Sequence, residues 1–547
     1  MDPIGASCFS LHIQENEKAI LEQQKQDEKF TEIIVSCRSL SKYEARTFKS
    51  LLPQIIATMI AGSYHIVVGI SLAYSAILIP QLNATGTDIE ITKNEASWIA
   101  SVIVVVVPVG AILAGFFMDW VGRLNTVKLA AIPGVIGWTL IATATNVPMI
   151  IAGRILTGLA TTWGSSPAVV YITEIARADM RGSLISCAPA YASLGMVIAY
   201  LKGWFLNWRT VAWYCNAYSI IPCLLIWFLP ESPAWLVSKG KIEEASKSLK
   251  WINKYQPQPP NQNESLAELQ LNQLQKEHQQ KLEDQARNGD GGLVKIKAFL
   301  KPTAYKPLII LFGLFFFQQF SGIYITLFYS VSFFQEVGST INPYLASVLI
   351  GAVRFFMSMV NTYMLKTFRR RPLVMTSAVG MTACMAISGL FTSWILSGKS
   401  DQRWVPVALL LLYVITSMIG LLPIPWTMTA ELFPIEIRGV AHSIAYSIAN
   451  LLMFASVQSY YALSDLFGGS SGVQYFFAVI SICGMVYTFI FLPETHGKKL
   501  TEITDYFNHN TVFLGQKKPK SKKKTQSRVG KKDIVKSKID NTKLMQV

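Results

Sequence analysis

Residues 98–118 read WIASVIVVVVPVGAILAGFFM, an apolar run that contains no charged side chain. A helix needs about 20 apolar residues to cross the hydrocarbon core of a bilayer, so this run is long enough to span it once. Proline and glycine within such a run are tolerated where neighbouring helices satisfy the main chain. The stretch therefore predicts a protein that lies in a membrane.

Runs of the same kind recur along the whole chain. Only 15% of the 547 residues are charged, against about 25% in soluble proteins, and most of that charge lies between the runs. The predicted fold class is an all-α membrane protein whose twelve transmembrane helices form two pseudo-symmetric six-helix bundles. The predicted spans are 53–80, 98–118, 127–147, 149–171, 184–204, 211–229, 307–334, 343–365, 373–396, 404–428, 440–463 and 473–492.

A long polar gap after residue 229 divides the spans into two sets of six, which is typical of transporters built from two repeats. The first 50 residues are polar and hold no early apolar core, so no cleavable signal peptide is expected. The tail from Gln516 carries twelve Lys and Arg against two Asp, and we expect it to be disordered beside an anionic leaflet. The predicted parts are a cytoplasmic segment 1–50, a bundle 51–229, a cytoplasmic loop with helices 230–306, a bundle 307–492 and a cytoplasmic tail 493–547.

The distribution of Lys and Arg between the loops predicts the orientation in the membrane. Loops that follow even-numbered spans are rich in these residues and the other loops are poorer, so the positive-inside rule places both termini in the cytoplasm. A plasma-membrane location is expected. The pattern Asn83-Ala-Thr85 then lies in the first outer loop, where a glycan acceptor is reachable. Asn263-Glu-Ser265 is the same pattern on the cytoplasmic side and is discounted.

Several functional classes are disfavoured by the residues themselves. The seven cysteines are scattered, mostly in apolar runs, and show no metal spacing. No cluster of a nucleophile with a base and no phosphate-binding loop is present, so we expect neither an enzyme nor a cofactor, and no catalytic or metal residues. A Lys-rich tail also suits nucleic acid, but a tail tethered to a membrane makes that partner improbable. Oligomeric state is not determined by the sequence.

Two charged patterns occur once in each half of the chain. Glu174 and Glu431 are each followed seven residues later by Arg-Gly, at Arg181 and Arg438, and Leu-Pro-Glu closes both halves at Glu231 and at Glu494. All lie at predicted cytoplasmic helix ends. Simple flanking charge does not explain matched glutamates at matched spacing, so we predict acid–base pairs that hold the halves together while the protein faces outward.

These motifs, in this order, resemble the sugar porter branch of the major facilitator superfamily. The resemblance runs from about residue 53 to residue 500. Ile77–Leu82 and Glu95–Ala100 look most like insect facilitated trehalose transporter-type members. The motifs that carry it are Asp119-Trp-Val-Gly-Arg123, Gly153-Arg154, Tyr171-Ile-Thr-Glu174, Arg181-Gly182, Pro230-Glu-Ser-Pro-Ala-Trp-Leu236, Gln318-Gln-Phe-Ser-Gly-Ile323, Pro423-Ile-Pro-Trp426, Glu431 to Gly439 and Pro493-Glu-Thr-His-Gly497.

The resemblance implies facilitative transport of a neutral sugar, such as trehalose or glucose, by alternating access. The implied partners are therefore a small-molecule sugar and the lipid bilayer. It also implies a set of gating ion pairs at the cytoplasmic ends of the helices. The predicted gating residues are Asp119, Arg123, Glu174, Arg181, Glu231, Arg370, Glu431, Arg438 and Glu494.

The candidate sugar site combines amides with an aromatic ring. An amide side chain offers two donors and an acceptor without charge, which suits a polyol. The resemblance places Gln318 and Gln319 on the central cavity; the alternative is a structural amide that bonds to a neighbour. Trp426 offers an apolar face for the C–H side of a sugar ring and an N–H donor, or else it is a packed aromatic. Tyr329 matches a family tyrosine near the outer gate.

The sequence departs from the family pattern at several of these positions. Tyr324 stands where the family has an asparagine, Ser193 replaces an expected glutamine, and Asn450 is what remains of an Asn-Trp pair. After the eighth span, Lys366 replaces the expected acid, and Arg369 replaces a glycine. The bulky ring of Tyr324 changes the expected sugar preference, and Lys366 is expected to weaken the outward-facing state through like-charge repulsion.

Two arginines lie within predicted spans. Arg154 lacks the first-span acid that it faces in proton-linked relatives, which favours facilitated diffusion over proton symport. Arg354 has no evident partner; an intramembrane arginine is a functional candidate, and snorkelling to the outer surface is the alternative. A proton-coupled symporter and a non-transporting sugar sensor of the same fold remain the alternative functions.

Overall fold

The computed structural model describes 47–84, 86–177, 179–257, 265–288, 299–338, 341–434, 437–498 and 500–510. The predicted N-terminal segment up to residue 46, the basic tail from Gln516, Thr85 and Asn263 lie outside the described residues. Every regular element in the described part is helical. We number the spans 1 to 12 in chain order, spans 1–6 forming the first bundle and spans 7–12 the second.

The first bundle contains several spans that consist of two helices joined at a bend. Three further helices follow it on the chain, in the region predicted as a loop with helices: Pro233–Ser238, Ile242–Ile252 and Leu266–Asn288. The spans are Phe48–Gly62 with Tyr64–Leu82, Lys93–Val105 with Val107–Val121, Arg123–Leu129 with Ala131–Ala142, Val147–Ile175, Arg181–Ile185 with Cys187–Phe205, and Trp208–Ile226.

The second bundle repeats this order of helices. Short helices Ser330–Glu336 and Tyr460–Leu466 follow spans 7 and 11, and Leu500–His509 follows span 12. The spans are Pro302–Phe320 with Ile325–Phe328, Pro343–Thr367, Arg370–Leu396, Val405–Ile419 with Ile424–Glu431, Arg438–Gln458, and Ser470–Phe491.

Ten helical stretches in the described part are long and apolar enough to cross a membrane. Val147–Ile175 and Trp208–Ile226 lie where the fourth and sixth spans were predicted, so the described helices are consistent with twelve spans. Span 4 is less apolar because Arg154 and a series of Gly, Ser and Thr residues lie along it. Small side chains of this kind let transmembrane helices approach closely.

The third predicted span, 127–147, is displaced from the observed helices. Gly122 has φ 108°, a conformation that favours glycine, and it lets the chain turn directly from span 2 into a helix that begins at Arg123. That span ends at Ala142, and span 4 begins at Val147, where the Asn146 side chain accepts from Met149 N at 3.0 Å. The predicted boundaries are therefore wrong at both ends by about one turn.

Spans 1 and 5 make the closest main-chain approach in the first bundle. A Cβ atom at Gly69 would lie 1.8 Å from the oxygen of Ala192, and one at Gly195 would lie 2.1 Å from the oxygen of Ile66. Only glycine fits at both positions. This packing holds span 5 where it can contact span 8 of the second bundle.

The two bundles meet along spans 5 and 8 and along spans 2 and 11. We call the face where span 1 begins and span 12 ends the termini face, and the other the opposite face. The Lys93–Val105 part of span 2, near the opposite face, packs against span 11. The bundles are thus joined most tightly in the half of the protein nearer the opposite face.

Candidate functional site

Two interrupted spans of the second bundle meet at the centre of the protein. Span 7 is interrupted between Phe320 and Ile325, where Gly322 has φ 94°, and span 10 is interrupted between Ile419 and Ile424. Broken helices are tolerated at membrane depth where they line a cavity or are covered by protein. Tyr324 directly precedes the second helix of span 7.

A cavity of about 210 Å³ lies beside these breaks, between the two bundles. Its polar lining is uncharged, and aromatic rings form much of the wall on the second-bundle side. Trp426 packs edge-on against Phe315 at 4.9 Å between ring centroids and lies 5.6 Å from Tyr446. The lining residues are Val68, Leu72, Ile103, Val104, Val107, Thr161, Thr162 and Ser165 of the first bundle, and Tyr324, Trp426, Tyr446, Asn450 and Met453 of the second.

A larger hollow of about 480 Å³ lies at the opposite face of the first bundle, around Trp204 and Asp88. Both amide side chains that line it are already bonded to main-chain atoms. Gln81 Nε2 donates to the oxygens of Gly203 and Leu206, and its Oε1 accepts from Trp208 N at 2.7 Å, while Asn207 Oδ1 accepts from Arg209 N at 3.2 Å. Only one of its lining residues, Tyr344, belongs to the second bundle, so we take the cavity at the breaks, which both bundles line, as the candidate site.

Gln318 is fully buried and bonds to the break in span 10. Its Nε2 donates to the oxygen of Leu421 at 3.1 Å and to that of Leu422 at 2.6 Å. The helical partner of the Leu421 oxygen would be the nitrogen of Pro425, which has no hydrogen to donate. Gln318 supplies the missing donor, so in this state it braces the two breaks against each other and does not reach the cavity wall.

Gln319 and Asn450 differ in their access to the cavity. The Gln319 Nε2 donates to Gln318 Oε1 at 3.0 Å, and its own Oε1 is buried without a partner among the described residues. Asn450 lines the cavity, and its Nδ2 donates to the oxygen of Tyr446 at 2.8 Å. The structure therefore brings Tyr324, Trp426 and Asn450 together on one wall and keeps both glutamines behind it.

Tyr329 and Ser193 lie at contacts between spans, away from the cavity. The Tyr329 ring stacks on Tyr460 at 4.5 Å between centroids, and its hydroxyl donates to the oxygen of Val457 at 3.3 Å. Ser193 of span 5 lies 3.2 Å from Ser358 of span 8, oxygen to oxygen. Both residues are buried. The contacts that they make between spans must break if the cavity opens to the opposite face.

The opposite face is closed by contacts between the bundles. Lys93 pairs with Asp465 at 2.7 Å, and Ser101 donates to Gln458 at 2.6 Å. The hydroxyls of Ser75 and Tyr200, both in the first bundle, donate to main-chain oxygens of span 7 at 3.1 Å and 2.9 Å. With this side closed, the path from the cavity leads toward the termini face.

A charged cluster joins three parts of the first bundle at the termini face. Arg123 donates twice to Glu174, with Nη2–Oε1 2.9 Å and Nε–Oε2 3.1 Å, and Glu174 also accepts from the Ser232 hydroxyl. Glu231 accepts from Leu124 N at 3.0 Å, at the start of the helix after Gly122. Burial raises the pKa of the Glu231 carboxyl, and its main-chain N–H donors lower it in part.

The second bundle contains the matching cluster. Arg370 pairs with Glu431 at 3.0 Å, Glu431 accepts from the Thr495 hydroxyl, and Glu494 accepts from Arg370 N at 3.0 Å. Each cluster ties the end of one span to two other segments of the same bundle. The matched glutamates found in the sequence thus occupy equivalent positions in both halves.

The two clusters differ at one residue, and two predicted gating arginines lie apart from them. Asp119 adds a 3.5 Å contact to Arg123, whereas the equivalent Lys366 is exposed and carries the same charge as Arg370. Arg181 and Arg438 donate to main-chain oxygens, of Ala176 and Phe433, at 3.4 Å or more. No ion pair of these two arginines falls within the described part of the chain.

The two intramembrane arginines have different surroundings. Arg154 is fully buried; its Nε donates to the oxygen of Ile99 at 3.1 Å and its Nη1 to that of Ser71 at 2.6 Å. Arg354 is 8% exposed, and its Nε has no partner among the described residues. The alternative that Arg354 snorkels to the outer surface is therefore wrong, because its side chain is enclosed by protein.

Comparison with known proteins identifies the family. The family described as "Sugar (and other) transporter" matches residues 24–507. The chain belongs to this sugar transporter family. The facilitated trehalose transporter Tret1 of Polypedilum vanderplanki is 32% identical over 82% of this chain and 87% of its own length. Its counterpart in Apis mellifera ligustica is 31% identical over 83% and 88%. These relatives are transporters and not enzymes.

Solved structures show the same fold as this sugar transporter. An inward open conformation of the xylose transporter XylE from E. coli has a TM-score of 0.65 at 20% identity, covering 82% of this chain and 98% of that one. The proton:xylose symporter XylE bound to 6-bromo-6-deoxy-D-glucose has a TM-score of 0.64 at 21% identity, covering 84% and 100%. The predicted major facilitator fold is confirmed, and the protein is a multi-pass membrane transporter.

Several residues of the transporter's site were not found from the sequence. Ser232 and Thr495 complete the charged clusters, and the signal for them was present, since each follows a Leu-Pro-Glu motif at the same spacing. Thr161 and Thr162 line the cavity, within the most polar part of span 4. Tyr446 had no comparable signal, because nothing in its neighbours distinguishes a cavity-facing ring from a packed one.

Proposed function

We propose that this sugar transporter carries a neutral sugar, trehalose or a hexose such as glucose, down its gradient by alternating access. The observation that carries the proposal is the cavity between the bundles, whose polar lining consists of hydroxyl, amide and indole groups without a carboxylate. The names of the relatives add trehalose as the first substrate to test.

The cavity offers a sugar hydrogen-bonding groups that replace the hydrogen bonds to water that it loses on entering the protein. The hydroxyls of Thr161 and Thr162 donate to the oxygen of Gly158, so they offer acceptors to a sugar. The amide of Asn450 offers a second N–H donor and an acceptor, and the ring of Trp426 supplies an apolar face. A polar group left without a bond in an apolar setting costs about 1–3 kcal/mol. A polyol with several hydroxyls therefore crosses only where such groups replace its hydration.

Gln318 enters this scheme through the break in span 10. In the present state its amide is engaged by Leu421 and Leu422. When the termini-face half of span 10 moves, those oxygens move with it, and the amide becomes free to bond to a sugar hydroxyl. The glutamine pair then acts in a state other than the one described here.

The charged clusters let each bundle move as a rigid unit in the same movement. Arg123–Glu174 and Arg370–Glu431 each keep the termini-face end of one bundle rigid. When the bundles close at that face, we expect Arg181, Arg438 and Asp119, which make only weak contacts in the present state, to form pairs across the interface. Lys366 removes one such pair, so the closed termini face is less stable than in a carrier with an acid there.

The absence of an acid from span 1 favours facilitated diffusion over proton symport. The chain from Phe48 to Leu82 has neither Asp nor Glu. Arg154 bonds instead to a main-chain oxygen of span 1, that of Ser71. A group that binds no proton across physiological pH cannot couple sugar to a proton gradient at this position.

We propose that the transporter lies in the plasma membrane. In the proposed orientation its termini face is on the cytoplasmic side. Basic loops cluster at that face. Asn83 is exposed at the opposite face, where its glycan acceptor pattern would meet the glycosylation machinery during biosynthesis. The path from the cavity in the present state then leads to the cytoplasm.

Uptake into liposomes by the purified protein tests the proposal. We expect labelled trehalose or glucose to reach equal concentrations inside and outside, with no accumulation when a pH gradient is imposed. Accumulation above equilibrium in a pH gradient would show a proton symporter instead. If the protein binds sugar but does not equilibrate it across the liposome membrane, it is the non-transporting sugar sensor.

A further inference from the structure

Arg354 lies in the middle of span 8 on the face that meets the first bundle. A Cβ atom at Gly351, one turn before it, would lie 3.0 Å from Val197 of span 5. Ser358, one turn after it, lies 3.2 Å from Ser193 of the same span. Residues three and four apart share a helix face, so Arg354 points toward the junction of the bundles and not toward lipid.

No acid balances this guanidinium in the described part of the chain. The groups that interact with it electrostatically are the hydroxyls of Tyr324, Tyr200 and Tyr413. Two of these hydroxyls already donate their hydrogens to main-chain oxygens, Tyr200 to Leu327 at 2.9 Å and Tyr413 to Ser321 at 2.8 Å. Only their lone pairs remain to face the arginine.

Arg154 shows what a structural arginine looks like in the same protein. Its Nε and Nη1 both bond to main-chain oxygens, and only its Nη2 is buried without a partner among the described residues. Arg354 is also buried, but its Nε has no partner among those residues. A buried charge is costly unless it is paired and hydrogen-bonded. No acid among the described residues supplies a counter-charge at this position.

Tyr324 connects Arg354 to the candidate sugar cavity. Its side chain lines that cavity beside Trp426, and its hydroxyl interacts with both the Trp426 side chain and Arg354. Arg354 is thus one side chain removed from the space that a substrate occupies.

We propose that Arg354 forms a subsite for a monovalent anion at the end of the sugar cavity. Guanidinium N–H groups match a carboxylate in a paired geometry and also bind a halide. The anion is either the carboxylate of a sugar acid such as glucuronate, which would fill cavity and subsite together, or chloride bound beside a neutral sugar. The inference rests on the proposed function for its premise that the cavity binds the substrate.

The test measures binding and uptake with wild-type protein in two salts. Chloride is replaced by methanesulfonate at constant ionic strength, and thermal unfolding of the purified protein is followed in each. We expect chloride to raise the unfolding midpoint by several degrees over methanesulfonate. We expect glucuronate to compete with labelled glucose about tenfold better than the methyl ester of glucuronic acid, which has the same ring but no charge. If the wild-type protein shows neither the chloride effect nor the glucuronate effect, the proposal is overturned.

Three variants assign the effect to this arginine. Arg354→Gln should abolish both the chloride shift and the glucuronate competition, and Arg354→Lys should keep the charge and retain part of both. Arg403→Gln, which removes an exposed arginine from the loop after span 9, is the matched control and should behave as wild type. Retention of both effects in Arg354→Gln would also overturn the proposal; if that variant does not fold, the wild-type salt comparison and Arg354→Lys decide.

The outcome is distinguishable from failure of the proposed function. Chloride stabilisation alone identifies the anion source as a free ion, and glucuronate competition alone identifies a sugar acid. If no neutral sugar equilibrates in either salt while chloride still raises the unfolding midpoint, the carrier function fails and the anion subsite stands.

Discussion

The Nε2 atom of Gln318 lies 2.6 Å from the main-chain oxygen of Leu422, and this bond joins span 7 to the break in span 10. An amide expected to bind sugar is thus occupied by the protein itself in the state described. The same side chain satisfies a broken helix in one state and becomes available to a hydroxyl in another. Alternating access gives a physical reason for one residue to serve both purposes.

Gln318→Ala should impair transport more than it impairs stability. The change leaves the Leu421 and Leu422 oxygens without their donor, at a cost of about 1–3 kcal/mol in the free energy of unfolding. Gln474→Ala is the matched control, since Gln474 is also fully buried and donates to Thr392 at 3.3 Å between spans 9 and 12. Thermal unfolding and liposome uptake are measured for both; equal loss of sugar affinity in the two variants would assign Gln318 a structural role only.

Tyr324→Asn should change which sugars are carried. Removal of the ring enlarges a cavity of about 210 Å³, so we expect the uptake ratio of trehalose to glucose to rise severalfold. Tyr324→Phe keeps the ring without its hydroxyl and should leave that ratio near the wild-type value. An unchanged ratio in Tyr324→Asn would mean that this ring does not limit the size of the substrate.

Lys366→Glu should shift the protein toward the state that is open at the opposite face. The new acid would occupy the position that Asp119 has in the first bundle. From there we expect it to pair with a basic residue of the other bundle only when the termini face closes, and an exposed ion pair contributes about 0.2–1 kcal/mol. Relief of repulsion adds to this, so a population change of about two- to threefold is expected at low salt. Spin-label distances between the loops after spans 1 and 11 report it, and the exposed Lys399→Glu is the control; equal distances in both variants would contradict the expectation.

Gly195→Ala should destabilise the first bundle. Its Cβ would lie 2.1 Å from the oxygen of Ile66, a main-chain atom that cannot move away without moving span 1. Overpacking of this kind costs about 1–3 kcal/mol. Gly115→Ala is the control, because nothing lies within 4 Å of the added atom there. A thermal midpoint for Gly195→Ala no lower than that of the control would show that the two spans are not held as described.

Asn83→Gln should remove a glycan from protein made in insect cells and tests the proposed orientation. The expected result is a single shift in gel mobility that matches the effect of a glycosidase on the wild type. Asn263→Gln carries the same change in the pattern assigned to the cytoplasmic side and should show no shift. A shift on changing Asn263 would reverse the assignment of the two faces.

Much of the fold was predictable because the bilayer imposes one simple demand. Each apolar run, such as 98–118, had to become a helix that satisfies its own main chain, and each did. The boundaries were less predictable: Gly122 turns the chain with a positive φ, so span 3 begins at Arg123 and not at 127. A hydropathy pattern does not register a turn that takes a single residue.

The charged clusters were predictable in part. The repeated spacing identified Glu174 and Glu431 as equivalent, and the structure gives each an arginine and a hydroxyl from a different segment. The arginine partners, Arg123 and Arg370, are far from these glutamates in sequence. Only helix packing brings those side chains within hydrogen-bonding distance.

The sequence by itself determined that this chain crosses a membrane many times in two related halves, because apolar length and repeated charge are local properties of the chain. The tertiary structure alone decided that Gln318 bonds to span 10 and that Arg354 is enclosed at the junction of the bundles without an acid. Those facts depend on which helix faces which. The pairing of helices depends on how distant segments pack. Small residues such as Gly195 let spans 1 and 5 approach closely, and Pro425 leaves the Leu421 oxygen without its helical donor, so that Gln318 can bond to it.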